Sequence, residues 1–276
     1  MKENLKTWII GAIIALILII PIIISGINSK KIETKTYSEF YDSITSTNFA
    51  LYYFGDTSKS EYKQYKETLI NMRKEYSVPV YVVNTKELTS DETQKLIALN
   101  EEYKNENVYA FIVDNELRKV TSNKLSEEKL SELINKYYNN VIPDSEIAYK
   151  TVSTYKEYME LVKSKKITMA VFGRNSCTWC NKFKPVYNEV AAEYNLDIYY
   201  FDSDSFSSTE YNKILNSGLL IPAKCTKNNE STPLSSGFGT PLTLFTQNGK
   251  SIDCISGYKN KTGLINSLKE VGLIKE

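Results

Sequence analysis

The sequence predicts an α/β protein, with an N-terminal transmembrane helix followed by two tandem soluble domains. Three observations lead to this prediction. An uncharged apolar stretch begins at Thr7, the rest of the chain repeats itself at an offset of 118 residues, and each copy alternates strand-like and helix-like apolar patterns. A length of 276 residues also exceeds the usual size of one domain, so two domains are expected.

The predicted anchor is the stretch from Thr7 to Ser29, which contains no charged residue. It is long enough to cross a bilayer as a helix, so residues 1–6 are expected in the cytoplasm and 7–29 in the membrane. A cleaved signal peptide is the alternative, but the apolar core is unusually long and Ser25-Gly26-Ile27 is a poor cleavage site.

Lysines flank the anchor on both sides, so the positive-inside rule does not fix its orientation. Anchors and signal peptides both most often place the following residues on the outer face of the membrane, where disulfides persist. The expected location is therefore the cell membrane, with a single pass and both soluble domains extracytoplasmic.

The repeat brings residues 36–85 into register with 154–203 without a gap; Phe54-Gly55 falls over Phe172-Gly173. Each copy reads as a helix, a strand, a long amphipathic helix and a second strand, which is a βαβ unit with parallel strands. The predicted strands are 49–54 and 80–83 in the first copy, and 167–172 and 198–201 in the second.

Third strands are predicted at 109–113 and 242–245, where the offset grows to about 133 residues. The second copy therefore carries an insertion of about 15 residues, within about 205–238. The predicted domains are 34–140 and 148–276, joined by a linker that includes Pro143.

Composition excludes several functions. The 34 basic and 33 acidic side chains give a net charge of +1 without a long run of one sign, which argues against a nucleic-acid partner. The chain has no histidine, which removes Ser-His-Asp and Cys-His catalysis and histidine ligation of zinc or haem.

The motif that carries chemistry is Cys177-Thr178-Trp179-Cys180, at the predicted start of the long helix of the second copy. Two cysteines three residues apart at a helix start can form a disulfide, and the first faces the free amides and the positive end of the helix dipole. Cys177 is therefore predicted to be the nucleophile, and Cys180, a turn further in, to resolve the mixed disulfide.

A zinc site that also uses Cys225 and Cys254 is the alternative interpretation of the motif. Its spacing is poor, because a structural zinc site normally uses two close cysteine pairs and these two are 29 residues apart. Cys225 and Cys254 are otherwise expected either to form a second disulfide that pins the inserted loop, or to be two unrelated buried thiols.

The segment from Thr151 to the C-terminus resembles a thioredoxin. The resemblance rests on the strand that runs into the Cys-x-x-Cys motif, on Pro185 at the position of the kink proline, on Gly239-Thr240-Pro241 at the position of the cis-proline loop, and on the Asn248-Gly249-Lys250 hairpin. It implies a thiol–disulfide oxidoreductase that needs no cofactor, with Trp179, Thr240 and Pro241 contacting the substrate. Pro241 could also be an ordinary proline at the start of a strand.

Three positions depart from the thioredoxin pattern. Val171 stands where the family keeps a buried acid, so the proton of Cys180 must leave by another route. Ser176 replaces a tryptophan, and Thr178-Trp179 replaces Gly-Pro between the cysteines. Because that dipeptide tunes the reduction potential, the direction of the reaction (reductase, oxidase or isomerase) stays open.

The first copy lacks the motif, since Lys59 and Tyr62 occupy the cysteine positions and Val108 is predicted at the position of the cis-proline. It can keep the fold without the chemistry, as a spacer, a substrate-holding surface or a dimerisation module.

The predicted function is a bacterial membrane-anchored oxidoreductase acting on thiols and disulfides of exported proteins, similar also to bacteriocin transport accessory proteins with a thioredoxin domain. Its expected partners are those clients, a membrane or extracytoplasmic redox partner, and the membrane itself. The alternative is a binding or chaperone-like accessory factor in which the cysteine pair is secondary.

Overall fold

The computed structural model describes residues 32–122 and 125–275, and the chain divides into two compact units between Tyr138 and Asn139. The predicted cytoplasmic segment 1–6 and the predicted anchor 7–29 lie outside the described residues. Within the described ranges, every helix is too short or too polar to span a bilayer.

The first unit contains a five-stranded sheet in the order β1-β3-β2-β4-β5. Strands β1 and β2 run parallel to β3, whereas β4 is antiparallel to both β2 and β5. Its elements are β1 (Glu33–Thr34), α1 (Tyr37–Ser46), β2 (Phe49–Gly55), α2 (Tyr62–Tyr76), β3 (Val80–Asn84), α3 (Ser90–Leu99), β4 (Val108–Val113), β5 (Glu116–Thr121) and α4 (Glu127–Tyr137).

The second unit contains an equivalent sheet in the order β6-β8-β7-β11-β12, with the same strand directions. Its elements are β6 (Lys150–Thr151), α5 (Tyr155–Val162), β7 (Thr168–Gly173), α6 (Thr178–Tyr194), β8 (Ile198–Asp202), α7 (Ser208–Leu215), β9 (Leu220–Ile221), β10 (Thr232–Pro233), β11 (Leu242–Gln247), β12 (Lys250–Ser256) and α8 (Lys261–Glu270). The mixed α/β class agrees with the prediction.

Local sequence explains why matching elements begin and end at matching positions. Helices α1 and α5 each start with a capping box, formed by Thr36 with Glu39 and by Thr154 with Glu157. Helices α2 and α6 each end at a residue in the left-handed conformation, Ser77 and Asn195.

The central strand β7 is buried on both faces, as a sheet covered by helices on each side requires. Met169 and Val171 pack in the core cluster that includes residues of α6 and α8, whereas Ala170 and Phe172 pack in the cluster that includes residues of α5 and the insertion. Pro185 lies inside α6 and is buried.

The sheet register corrects the predicted alignment of the two copies. Val108 pairs with Phe54 and Leu242 pairs with Phe172, so Val108 matches Leu242 at an offset of 134, and the predicted match of Val108 to Pro241 was wrong by one residue. Asn107 instead occupies the position of Pro241. An apolar residue follows this position in both copies, Val108 and Leu242, so the sequence pattern alone did not distinguish the two registers.

Candidate active site

Cys177 and Cys180 form a disulfide at the start of α6, with their Cα atoms 5.2 Å apart. Cys177 is the N-cap residue of that helix, and the backbone N–H of Cys180 donates to its Sγ atom at 3.1 Å. Cys177 is 9% exposed and Cys180 only 1%. The free amides of the helix therefore face the more accessible of the two sulfurs.

The loop before β11 meets the cysteines at one end of the sheet. Strand β11 pairs with β7, so the residues before β11 lie beside the residues after β7. The peptide bond between Thr240 and Pro241 is cis, and the Thr240 carbonyl oxygen lies 3.5 Å from the Sγ atom of Cys177. The structure thus brings together residues that are 63 positions apart in the chain.

A small aromatic surface lies beside the disulfide. Trp179 is 56% exposed, and its ring centroid is 5.9 Å from that of Tyr258. The Lys182 ammonium lies 5.4 Å from the Trp179 ring and 5.0 Å from the Tyr258 ring. Tyr258 was not predicted from the sequence, because only the fold places the residue after Gly257 next to the motif.

Hydrogen bonds hold the loop between β7 and α6. The buried side chain of Asp202, at the end of β8, accepts from the Asn175 amide at 2.6 Å, and the backbone N–H of Asn175 donates to Asp204 at 3.2 Å. The Asn175 side-chain oxygen accepts from Lys184 at 2.9 Å. Desolvation lowers the pKa of Lys184. Sequence reasoning missed Asn175 and Asp202; the usable signal was that both lie at the ends of adjacent strands that were predicted to be parallel.

Several solved structures resemble part of the chain, among them three thioredoxins. Thioredoxin Mala s 13 of Malassezia sympodialis is 16% identical; the match covers 47% of this chain and 94% of that one, with a TM-score of 0.33. Thioredoxin of Plasmodium falciparum is 17% identical; the match covers 44% of this chain and 97% of that one, with a TM-score of 0.32. A mutant thioredoxin of Halobacterium salinarum is 13% identical; the match covers 46% of this chain and 94% of that one, with a TM-score of 0.34.

No protein-family model and no curated protein matches the chain. The cis bond before Pro241, the cysteine pair at the start of α6 and the strand order of the second unit agree with the resemblance stated from the motifs. At these identities the likeness concerns the fold, and the activities of the matched thioredoxins do not transfer with it.

The core beneath the thioredoxin-like motif contains Val171, which is fully buried and pairs across the sheet with Thr243. The Thr243 hydroxyl is buried and has no hydrogen-bond partner among the described residues. An apolar side chain therefore occupies the place of the expected acid, and the residue opposite it contributes only a neutral hydroxyl.

The other two cysteines form a second disulfide. Cys225 lies in a 3-10 turn of the insertion, Cys254 lies in β12, and their Cα atoms are 6.3 Å apart. An ion pair between Lys224 and Asp253, 2.6 Å long, runs next to the bridge. The four cysteines thus form two separate bridges, and no group of three potential metal ligands occurs within residues 32–122 and 125–275.

The first unit has an ion pair at the positions that match Cys177 and Thr240 of the second unit. The backbone N–H of Lys59 donates to the Asp56 carbonyl at 3.2 Å, just as that of Cys177 donates to Arg174 at 3.2 Å. The Lys59 ammonium binds the Glu106 carboxylate at 2.7 Å. In the corrected register Glu106 matches Thr240, so this ion pair replaces the sulfur-to-carbonyl contact.

Proposed function

We propose that this chain is a thiol–disulfide oxidoreductase that acts on exported proteins. The observation that carries the proposal is the position of Cys177, which caps a helix, is more exposed than Cys180 and contacts the carbonyl of Thr240. Such a sulfur combines stabilisation of its thiolate with access for a second sulfur, the two properties that a redox cysteine needs.

In the reducing direction, the Cys177 thiolate attacks one sulfur of a client disulfide, and the other client sulfur leaves as a thiolate. The Cys180 thiolate then attacks Cys177, which releases the second client thiolate and leaves the pair oxidised. The client disulfide gains two electrons and the pair loses them. The same steps in reverse oxidise a client dithiol.

The proposed setting is the outer face of a cell membrane, with residues 7–29 as the anchor and two tandem thioredoxin-like domains, 34–140 and 148–276, outside the cytoplasm. The two disulfides favour an oxidising compartment, because thiols in the cytosol are kept reduced. Continued turnover then needs a redox partner in or beyond the membrane.

The test compares variants of the full chain in detergent, using a disulfide-bonded test protein and dithiothreitol as the electron source. Wild-type protein should accelerate reduction of the test protein, and Cys177→Ser should abolish the acceleration. The paired variant Cys225→Ala with Cys254→Ala should keep it, because Cys254 lies in β12, which β11 separates from the strand that leads into the motif. Full activity of Cys177→Ser would overturn the proposal.

The direction follows from the reduction potential of the Cys177–Cys180 pair, measured by equilibration with glutathione. A value near about −270 mV, as in thioredoxin, indicates a reductase supplied with electrons. A value near about −120 mV indicates a strong oxidant that introduces disulfides.

A binding or accessory function is the second candidate, favoured by the first unit, which keeps an equivalent sheet but carries Lys59 at the position of Cys177. Retention of the full biological activity by a Cys177→Ser strain would support this candidate against the enzyme.

A further inference from the structure

A groove of about 550 Å³ lies in the second unit, between the insertion and one end of the sheet. The sheet contributes Leu242, the first residue of β11, and Ser256, the last residue of β12, which pair with each other. The insertion and the residues that follow it contribute 225–228 and 236–239. Because Leu242 also pairs with Phe172, just before the end of β7, the groove lies at the same end of the sheet as the cysteine motif.

Contacts within the fold hold both of these segments in place. The disulfide between Cys225 and Cys254 ties the first segment to β12. The ring of Phe238, in the second segment, packs edge-on against Phe172 with the ring centroids 5.6 Å apart. The groove is therefore formed before a ligand arrives, and binding in a preformed groove avoids the cost of ordering its walls.

The groove is continuous with the reacting sulfur. Gly239 lines the groove and directly precedes Thr240, whose carbonyl oxygen lies 3.5 Å from the Sγ atom of Cys177. A client sulfur bonded to Cys177 stays about 2.05 Å from that atom, so the client cysteine is held beside Thr240. An extended chain advances about 3.3 Å per residue, which brings residues about two to four positions from the client cysteine within reach of the groove. The bonded client thus has a high effective concentration at the groove.

Lys227 carries the only charge among the described residues that line the groove. Its side chain is exposed and forms no ion pair within the part of the chain that the structure describes. Asp253, beside the second disulfide, already binds Lys224 at 2.6 Å. Asn228 and Ser236 also line the groove, and their side-chain amide and hydroxyl can donate to a carboxylate. One cation among neutral donors complements an acidic side chain.

We propose that the groove binds the segment of a client that flanks its reactive cysteine, and that an aspartate or glutamate of this segment pairs with Lys227. Lys227 thus selects clients for the proposed oxidoreductase activity, on which this inference rests. The clients it selects are proteins with acidic residues close to the cysteine. Lys227 acts on the binding of the client and takes no part in the exchange of sulfurs.

The experiment uses two peptides whose single cysteine carries thionitrobenzoate in a disulfide, acetyl-Glu-Glu-Gly-Cys-Gly-Glu-Glu-amide and its glutamine analogue. Each is mixed with the full chain in detergent, after the chain has been reduced with dithiothreitol and the dithiothreitol removed. Cys177 attacks the peptide sulfur, coloured thionitrobenzoate leaves as a thiolate, and Cys180 then releases the peptide. The rate of Cys177→Ser is subtracted, and each rate constant is divided by that of the same peptide with mercaptoethanol. The glutamate peptide should react about threefold faster, as expected for one ion pair near the surface.

Variants at one position separate client selection from the sulfur chemistry. Lys227→Gln should remove the preference, and Lys227→Glu should reverse it, so that the glutamine peptide reacts faster. Lys250→Gln is the matched control, because it removes the same charge from an exposed lysine at the opposite end of β12, and it should keep the preference. Equal rates of the two peptides with the wild type, or a preference that survives Lys227→Gln, would overturn the inference and leave the oxidoreductase function standing. A chain that reacts with neither peptide would overturn that function, and the inference with it.

Discussion

The Sγ atom of Cys177 lies 3.5 Å from the carbonyl oxygen of Thr240. At the matching positions of the first unit, the Lys59 ammonium lies 2.7 Å from the Glu106 carboxylate. The same pairing of strands creates both contacts, because the loop after one central strand always meets the loop before its antiparallel neighbour. The fold therefore supplies a meeting point, and the side chains placed there decide its chemistry.

Replacing Cys180 should trap clients. In Cys180→Ser the more accessible cysteine, Cys177, can still attack a client disulfide, but no neighbouring thiol can release the mixed disulfide. Non-reducing gels of cells that express this variant should show high-mass adducts that dithiothreitol removes, and mass spectrometry should locate the bond at Cys177. Cys177→Ser is the control and should trap nothing, since Cys180 is buried. An equal set of adducts in both variants would contradict the assigned roles.

Removing the second disulfide should destabilise the second unit. The bridge closes a loop of 29 residues, and a loop of this length stabilises the folded state by about 2–4 kcal/mol. The paired change Cys225→Ala with Cys254→Ala should lower the free energy of unfolding by this amount. Urea unfolding followed by Trp179 fluorescence, in a Trp8→Phe background, measures the loss.

The control for this experiment is Cys177→Ala with Cys180→Ala, which opens a bridge between residues only three apart. Its effect on the free energy of unfolding should be smaller, because a short loop restricts the unfolded chain less. The reverse order of the two losses would show that the bridge to β12 does not constrain the insertion.

Restoring an acid at Val171 should make stability depend on pH. The position is fully buried, so desolvation should raise the pKa of an introduced aspartate above its ordinary value of about 3.9. The folded state then binds more protons than the unfolded state, and stability falls as pH rises from about 4 towards the folded-state pKa. At neutral pH, Val171→Asp should cost about 3–5 kcal/mol.

Val171→Asn separates the charge from the loss of packing, because it places a polar side chain of similar size there without a titrating group. It should lose stability by a similar amount at every pH between 4 and 8, a range of about 4 units in which an asparagine does not ionise. Parallel pH profiles for the two variants would show that the aspartate stays solvated. The same fluorescence assay serves both.

Asp202 should position the loop that leads into the motif. The two oxygens of Asp202 accept from the Asn175 amide and from the backbone N–H of Asp204; in Asp202→Asn a single oxygen remains, so one of these two donors loses its acceptor and unfolding should become easier by about 1–3 kcal/mol. Client reduction should slow as well, because the loop directly precedes Cys177. Asp204 is exposed and accepts a hydrogen bond from the backbone of the same loop, at Asn175. Asp204→Asn should therefore change the free energy of unfolding by no more than about 0.5 kcal/mol. Equal effects of the two changes would refute a special role for the buried carboxylate.

Much of the fold was visible in the sequence, because strands and helices follow local periodicity. The strands predicted at 49–54 and 198–201 extend by one residue in the structure, to Gly55 and Asp202. The two-residue strands β1 and β6 were not predicted, since segments so short have no period to recognise. The predicted offset of about 133 for the third strands came out one residue short, because only the sheet register separates 133 from 134.

By itself, the sequence determined the α/β class, the internal repeat and the position of Cys177 and Cys180 at a helix start, because each depends on residues close together in the chain. Tertiary structure alone decided which distant groups meet them: the carbonyl of Thr240, the ring of Tyr258 and the buried carboxylate of Asp202. It also decided that Cys225 reaches Cys254 and that Lys227 lines a groove. Such contacts depend on strand order and register, which place residues side by side irrespective of their distance along the chain.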